Sequence, residues 1–354
     1  MPITPNSWVA GLEAYTPGEQ PSGAGYIKLN TNEAYAPAPE VLSAVHAAAN
    51  EALFHRYPEP KSKALRAAIA EQLDVTIEEV IMGNGSDEVL RLLCHAYLSA
   101  NAGDKIGMVD PTYSLYHTLA AMFGCSYTSY PLKSPLYEIP QDAIASDARI
   151  FFLANPNPPY GTFYEPDVLA KLAAANPNRL VVIDEAYVDF APHDAMEIYR
   201  KFENVVITRT FSKSYSLAGL RVGFAVARPE ITAELEKIRD SYNMNRVSQA
   251  GALAAWQAKD YYAQMVNEIR SNREYLQKEL ANLGFVVPPS AGNFVFARRA
   301  DAKELYLQLK ERKILVRYFS APALADGIRI TIGTRAELDQ LLTGIRDLSP
   351  MALR

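Results

Sequence analysis

Between Val80 and Phe211 the chain alternates short, almost wholly apolar runs with longer stretches in which apolar residues recur every three or four positions. The short runs are VIMG (80–83), KIGMV (105–109), RIFFLA (149–154), LVVID (180–184) and NVVITRTF (204–211), with VGFAVA following shortly after. Near-continuous β-branched and aromatic runs of this kind are the pattern of strands buried on both faces of a parallel sheet covered by helices. The segments between them predict helices. SDEVLRLLCHAYL (86–98) opens on a serine placed as an N-cap, with two acids in its first turn, and EPDVLAKLAAA (165–175) is built alike. The expected fold class is α/β, with a large, doubly wound, mainly parallel sheet that binds ligands where its strands end.

Beyond Asn243 the texture changes. An amphipathic stretch over Val247 to Leu283 predicts a long helix. After it, FVVPPS, NFVFAR, ILVRYF and GIRITIG read as strands of a second, smaller sheet, with helices at DAKELYLQLKER and RAELDQLLTGIRDL. Three parts are therefore expected. They are an arm over 1–45, rich in Pro, Gly and Asn and wrapping onto another part, a large α/β domain over 46–245, and a smaller C-terminal α+β domain over 246–354.

Composition narrows the function classes. A formal net charge of −5 argues against a nucleic-acid binder, which would show a basic domain or stripe. No apolar stretch approaches the roughly 18 residues of a membrane helix, and the opening MPITPNSWVAGLEAY lacks the basic end and apolar centre of a signal peptide. Two cysteines, Cys94 and Cys125, are too few for a disulfide framework, so the expected compartment is the cytoplasm. The five histidines are scattered, and no metal site is expected.

The candidate chemistry lies at the predicted strand ends. GNGSDE (83–88) leads into a helix whose free N–H groups, at Ser86 and Asp87, suit an anion such as phosphate. DPTYSLY places Tyr113 just past a strand, where a lone tyrosine would otherwise be packing. NPNPPYG (155–161) is a proline-set loop that holds Asn157 in a fixed pose. Asp184 ends a fully apolar strand, where a carboxylate is costly unless paired or protonated; a salt bridge or a protonated cofactor ring nitrogen would each answer that. Lys213 follows another buried strand among Thr210, Ser212 and, further on, Arg221. Taken alone it would be solvated surface. Desolvated, its amine is a nucleophile toward an aldehyde and a base toward a carbon acid. An amine, an anion cradle and a buried aspartate together specify a ligand with an aldehyde, a phosphate and a basic ring nitrogen, which is pyridoxal phosphate.

At this point the sequence resembles the fold-type I pyridoxal-phosphate-dependent aminotransferases over nearly its whole length. SKSYSLAGLRVGF around Lys213 carries the superfamily likeness, and AYTPG (14–18), HRYPEP (55–60), GNGSDE, DPTY, VVIDEAY and LVRYF followed by RITIGT resemble the histidinol-phosphate aminotransferase family. The resemblance implies that Lys213 bonds the cofactor and moves the proton, that Asp184 pairs with the pyridine nitrogen, and that Tyr187 and Asn157 contact the ring's phenolic oxygen. Tyr113 would stack on the ring. Ser86, Asp87, Thr210, Ser212 and Arg221 would hold the phosphate, and Tyr57 would reach the phosphate of a neighbouring subunit, which implies a homodimer with shared sites. Arg329 would clamp an anionic substrate group, with Tyr15, Asn32 and Arg317 lining the distal pocket. The implied substrates are histidinol phosphate as amino donor and a 2-oxo acid, 2-oxoglutarate, as acceptor.

Two segments depart from the family pattern. PNPPYG stands where PNNPTG is usual, and NEAYAPAP (32–39) stands where the arm usually reads NENP. Both changes bear on substrate more than on reaction type. An aromatic amino-acid aminotransferase and a threonine-phosphate decarboxylase are the alternative activities, and an effector-sensing domain of a transcription regulator is the non-enzymatic one.

Overall fold

The computed structural model describes residues 3–12, 18–21, 23–50, 54–133 and 137–348. Its strands, in chain order, are β1 (Ile27–Lys28), β2 (Val80–Gly83), β3 (Lys105–Asp110), β4 (Ser126–Pro131), β5 (Ile150–Ala154), β6 (Leu180–Asp184), β7 (Val205–Thr210), β8 (Gly223–Val226), β9 (Phe294–Arg298), β10 (Ile314–Leu315), β11 (Arg317–Tyr318) and β12 (Gly327–Thr331). Seven of them form one sheet in the order β2-β8-β7-β6-β5-β3-β4. Its neighbours run parallel except at β8, which is antiparallel to both β2 and β7.

The apolar runs are buried on both sides because each strand feeds two cores alternately. Phe151, Leu153, Val181, Ile183, Val205 and Ile207 enter one apolar cluster. Their chain neighbours Ile150, Phe152, Leu180, Val182 and Val206 enter a second. This is the two-sided burial that a helix-covered parallel sheet imposes. β4 carries no apolar run that would predict a strand. It is the outer strand, with Ser126 and Tyr127 exposed, so CSYTSYP never needed an apolar run.

Several expected boundaries shift. The helix after β2 runs Ser86–Tyr97 with Gly85, not Ser86, at the N-cap position; Ser86 is already helical. The stretch expected as one helix over Val247 to Leu283 is two, Arg246–Gln257 and Lys259–Asn282, broken at Ala258 (ψ +48°). No Gly or Pro marks that break; the two halves pack on different partners, the first against Pro39–Asn50 and Lys63–Leu73, the second against β9 and the C-terminal helix Arg335–Leu348. FVVPPS is not a strand. Val286 alone bridges to Arg298, and Pro288 and Pro289 have no N–H to extend the ladder.

The C-terminal sheet is antiparallel, in the order β11-β12-β9. ILVRYF splits between two sheets: β10 pairs in parallel with β1 of the N-terminal arm, while β11 joins β12. The arm therefore runs beside this sheet and across the ends of the large one. Asn32 fixes it there, its N–H donating to Thr331 Oγ1 at 2.9 Å and its carbonyl accepting from Asn293 Nδ2 at 3.0 Å. Among the described residues no helix is long and apolar enough to cross a membrane.

Candidate active site

The C-terminal ends of β5, β6 and β7 open on one cavity of about 160 Å3. Nine of the residues picked from the sequence line it: Ser86, Asp87, Tyr113, Asp184, Tyr187, Thr210, Ser212, Lys213 and Arg221. Parallel strands in register explain the convergence, since Ala154, Asp184 and Thr208 are successive partners across β5, β6 and β7.

One end of the cavity is a cradle. Arg221 reaches Asp87 at 3.7 Å and donates from Nη1 to Ser212 Oγ at 3.2 Å. Thr210 Oγ1 accepts from the Ser212 N–H at 3.1 Å. The helix start is approached with no side chain in between. A Cβ on Gly223 would lie 2.2 Å from Ser86 N, and one on Gly85 (φ +84°) would lie 2.6 Å from Arg221 Nη2. Glycine at both places leaves a dipole-positive helix end beside a guanidinium, a site for a dianion.

At the centre lies Asp184, 3% exposed. Its Oδ2 accepts from the Tyr116 hydroxyl at 2.8 Å and its Oδ1 from the Thr208 hydroxyl at 3.1 Å. Burial pushes the carboxyl up to about 6, although these hydrogen bonds pull it back. Neither partner was found from the sequence. Tyr116 lies in the first turn of the helix Leu115–Met122, whose placement brings it to Asp184, and Thr208 is brought in by strand register. Tyr113 crosses Tyr116 edge-on at 5.7 Å and donates to Asp87 Oδ1 at 3.2 Å. Burial, reinforced by the charges of Asp87 and Asp184, raises the Tyr113 phenol well above its ordinary range.

Lys213 stands at the opposite wall. Its Nζ lies 5.6 Å from the centre of the Tyr187 ring and donates to Thr31 O at 3.4 Å. The Tyr187 hydroxyl accepts from Asn32 Nδ2 at 3.0 Å, which puts Asn32 one hydrogen bond behind the cavity. Thr31 is a further residue that only the folded arm reveals.

The other described candidates lie outside the cavity lining. Asn157 is fully buried, its Nδ2 donating to Pro111 O at 2.9 Å and its Oδ1 accepting from Thr112 at 2.6 Å, while Pro158 takes the lining position. Arg329 donates to Asn30 O at 3.1 Å and is the cross-strand partner of Arg317, both guanidiniums lying near the Phe319 ring. Tyr57 is 77% exposed and stacks on Tyr242 at 4.2 Å, away from this cavity. Tyr15 lies outside the described residues.

Comparison with known proteins agrees with this geometry. Residues 24–345 match the family model for aminotransferase class I and II. A protein of Geotalea uraniireducens named histidinol-phosphate aminotransferase is 46% identical over 98% of this chain and 99% of its own. One of the same name from Microcystis aeruginosa is 42% identical over 95% of each chain. The crystal structure of histidinol-phosphate aminotransferase from Sinorhizobium meliloti in complex with pyridoxal-5'-phosphate superposes with a TM-score of 0.87, at 27% identity, over 97% of this chain and 98% of that one.

The cavity has what pyridoxal phosphate requires: the glycine-bared cradle for a dianion, a buried carboxylate with neutral donors facing the space a ring would fill, and a primary amine opposite. The chain belongs to the class I and II aminotransferases, enzymes that use pyridoxal phosphate, and within them to the histidinol-phosphate aminotransferase family.

Proposed function

We propose that the protein transfers an amino group from histidinol phosphate to 2-oxoglutarate, giving imidazole-acetol phosphate and glutamate in a step of histidine biosynthesis. The observation that carries this reading is the opening of Lys213, Asp184 and the Arg221 cradle onto one cavity. When bound, pyridoxal phosphate supplies an electron sink for the charge left on the amine-bearing carbon as its proton departs.

The chain's own residues do the rest. Arg221, Ser212, Thr210 and the N–H groups of Ser86 and Asp87 would hold the cofactor phosphate, and Tyr113 would cover the ring. Asp184 would ionise against the ring nitrogen and keep that nitrogen protonated. Tyr187, its hydroxyl held by Asn32, would orient the phenolic oxygen, and Asn157, behind the wall at Pro158, would reach it only through the Nδ2 hydrogen not given to Pro111. Lys213 Nζ would take the proton from the amine-bearing carbon and hold it on the same side of the cavity. Arg329 meets the phosphate of histidinol phosphate in one half-reaction and the α-carboxylate of glutamate in the other, by charge-assisted hydrogen bonds. Arg317 and Tyr15 add contacts to anionic groups.

The enzyme works as a homodimer in the cytoplasm. Exposed Tyr57, stacked on Tyr242, supports contact with a second copy whose phosphate site it completes, and the two cysteines are free and buried. The arm over 1–45, a cofactor domain over 46–245 and a smaller domain over 246–354 are its working parts. The test is a substrate panel under single-turnover conditions, following the visible absorbance of the bound cofactor. Histidinol phosphate should give the highest specificity constant; a higher value for phenylalanine or tyrosine overturns the assignment.

A further inference from the structure

Tyr160, one of the residues by which PNPPYG departs from the family pattern, is buried although it belongs to a loop: 3% of it is exposed. Its ring stacks on Tyr137, with centroids 4.0 Å apart and an interplanar angle of 24°, and meets Phe296 edge-on at 5.2 Å. Its hydroxyl donates to Ala323 O at 3.3 Å. Phe296 is on β9 and Ala323 lies just before β12, so a side chain from the end of the large sheet is wedged into the C-terminal one. Tyr137 braces the same junction. Its hydroxyl accepts from Arg298 Nη1 at 3.1 Å, and Arg298 is forked onto Asp326 at 2.9 and 2.7 Å.

Both ends of this wedge lead to the site. Pro158, two residues earlier, lines the cofactor cavity. Between them the loop is closed by the Asn157–Thr162 bridge and docked by the Ala291 N–H on Gly161 O at 2.8 Å. On the other side, Phe296 is the cross-strand partner of Arg329, and Phe319 packs against the Tyr160 cluster. The Phe319 ring centre lies 5.4 Å from the Arg317 guanidinium and 5.6 Å from that of Arg329. A continuous packed path therefore runs from the cavity wall through Tyr160 to both arginines.

We propose that Tyr160 is a positioning residue, a strut that sets how far Arg329 and Arg317 stand from the cofactor cavity and so governs affinity for the anionic end of the substrate. This rests on the role given to Arg329 above. Close-packed interiors transmit displacement rather than absorb it. A buried aromatic ring covers on the order of 150–250 Å2, and threonine, the usual residue at this place, would leave most of that space unfilled. Misplacing a clamp by about 1 Å is enough to cost up to ~100-fold.

The test compares holoenzymes carrying Tyr160→Thr, Tyr160→Phe and Tyr160→Leu. Their KM and kcat are measured in each half-reaction, and their affinities for inorganic phosphate and 2-oxoglutarate by calorimetry. Tyr160→Thr should raise KM for histidinol phosphate and glutamate about tenfold and weaken inorganic phosphate similarly, with kcat within about twofold of wild type. The pH dependence of the cofactor absorbance should not move. Tyr160→Phe, which keeps the ring, should stay within about threefold of wild type throughout. Tyr160→Leu should fall between, and it reads the strut even if the threonine variant fails to fold. Unchanged KM values in the folded leucine variant, or equal losses in kcat and cofactor affinity, overturn the proposal. Wild-type protein that ignores histidinol phosphate would overturn only the substrate assignment, because phosphate and 2-oxoglutarate affinities report the strut without it.

Discussion

Asp184 and Glu185 are consecutive carboxylates, both almost fully buried, at the end of the same strand. They face opposite sides of the sheet and are satisfied in different ways. Glu185 meets a cation: Arg209 donates to its Oε2 from Nε at 2.8 Å, and the Ala195 N–H donates to Oε1 at 2.6 Å. Arg209 also reaches Asp194 at 2.7 Å. Burial pushes the Glu185 carboxyl up to about 7 even though Arg209 pulls it back, while on the arginine burial is more than offset by the charges of Glu185 and Asp194, which raise its pKa; the short contacts from Nε and Nη2 are those of an ion pair. Asp184 has neutral donors instead, the hydroxyls of Tyr116 and Thr208 and the backbone at Ala186, and no ion pair to it is found among the described residues. A buried carboxylate closed into an ion pair holds the fold together. One supported by neutral groups alone and open to a cavity can take a cation that arrives from outside, the part proposed above for the protonated ring nitrogen.

The comparison can be broken most directly at Glu185. Glu185→Gln removes the charge facing a buried arginine, which typically costs about 3–5 kcal/mol. Because Asp194 still pairs with Arg209, the expected loss is about 3 kcal/mol in denaturant unfolding, with cofactor absorbance retained in the folded fraction. A neutral effect on stability would mean the pair contributes no more than surface ions do. Asp184→Asn should do the reverse, leaving the holoenzyme folded and slowing the proton-transfer step ~100-fold or more, or about 3 kcal/mol. Stopped-flow single turnover measures it, and near-wild-type rates would show that Asp184 faces something other than the ring.

The third test removes the cofactor. In the cofactor-free protein the Asp184 carboxyl binds its proton more tightly than an unfolded aspartate does, at about 6 against 3.8. Its contribution to stability is therefore fully present below the unfolded value and is withdrawn as pH rises through about 6. Cofactor-free Asp184→Asn should thus gain on cofactor-free wild type by about 2–3 kcal/mol at pH 8 and show little of that gain at pH 4. Calorimetric melts at the two pH values check this, and a gain that grows toward acid pH contradicts it. The smallest expected effect is at Tyr116. Tyr116→Phe deletes one hydrogen bond to a charged group, worth about 1.5–3 kcal/mol. It should raise the midpoint of that pH dependence further, with turnover lowered about tenfold. A midpoint that stays fixed would remove Tyr116 from the support of Asp184.

Much of the site was legible in the sequence because local chemistry announces it. Lys213 stands out as a lysine among hydroxyls after a buried strand, Asp184 as the first of two acids ending an apolar run, and GNGSDE as glycines before a helix. Tyr116 and Thr208 were not legible as partners of Asp184. A tyrosine on an amphipathic helix and a threonine in a strand look like packing until register and helix placement bring their hydroxyls within 3.1 Å of one carboxylate. Tyr160 was noted as a departure, but no local pattern says that a loop tyrosine is buried between two sheets.

The sequence by itself determined the buried strands of the large sheet, the class of fold and the residue types proposed for the chemistry. Those follow from hydrophobic periodicity, turn residues and isolated polar groups, all read within a window of ten or so positions. Tertiary structure decided which residues meet: the break at Ala258, the pairing of β1 with β10 that lays Thr31 over Lys213, and the opposed surroundings of Asp184 and Glu185. Each depends on contacts between segments far apart in the chain. Their energies come from burial and pairing across the folded molecule, which no short stretch of sequence contains.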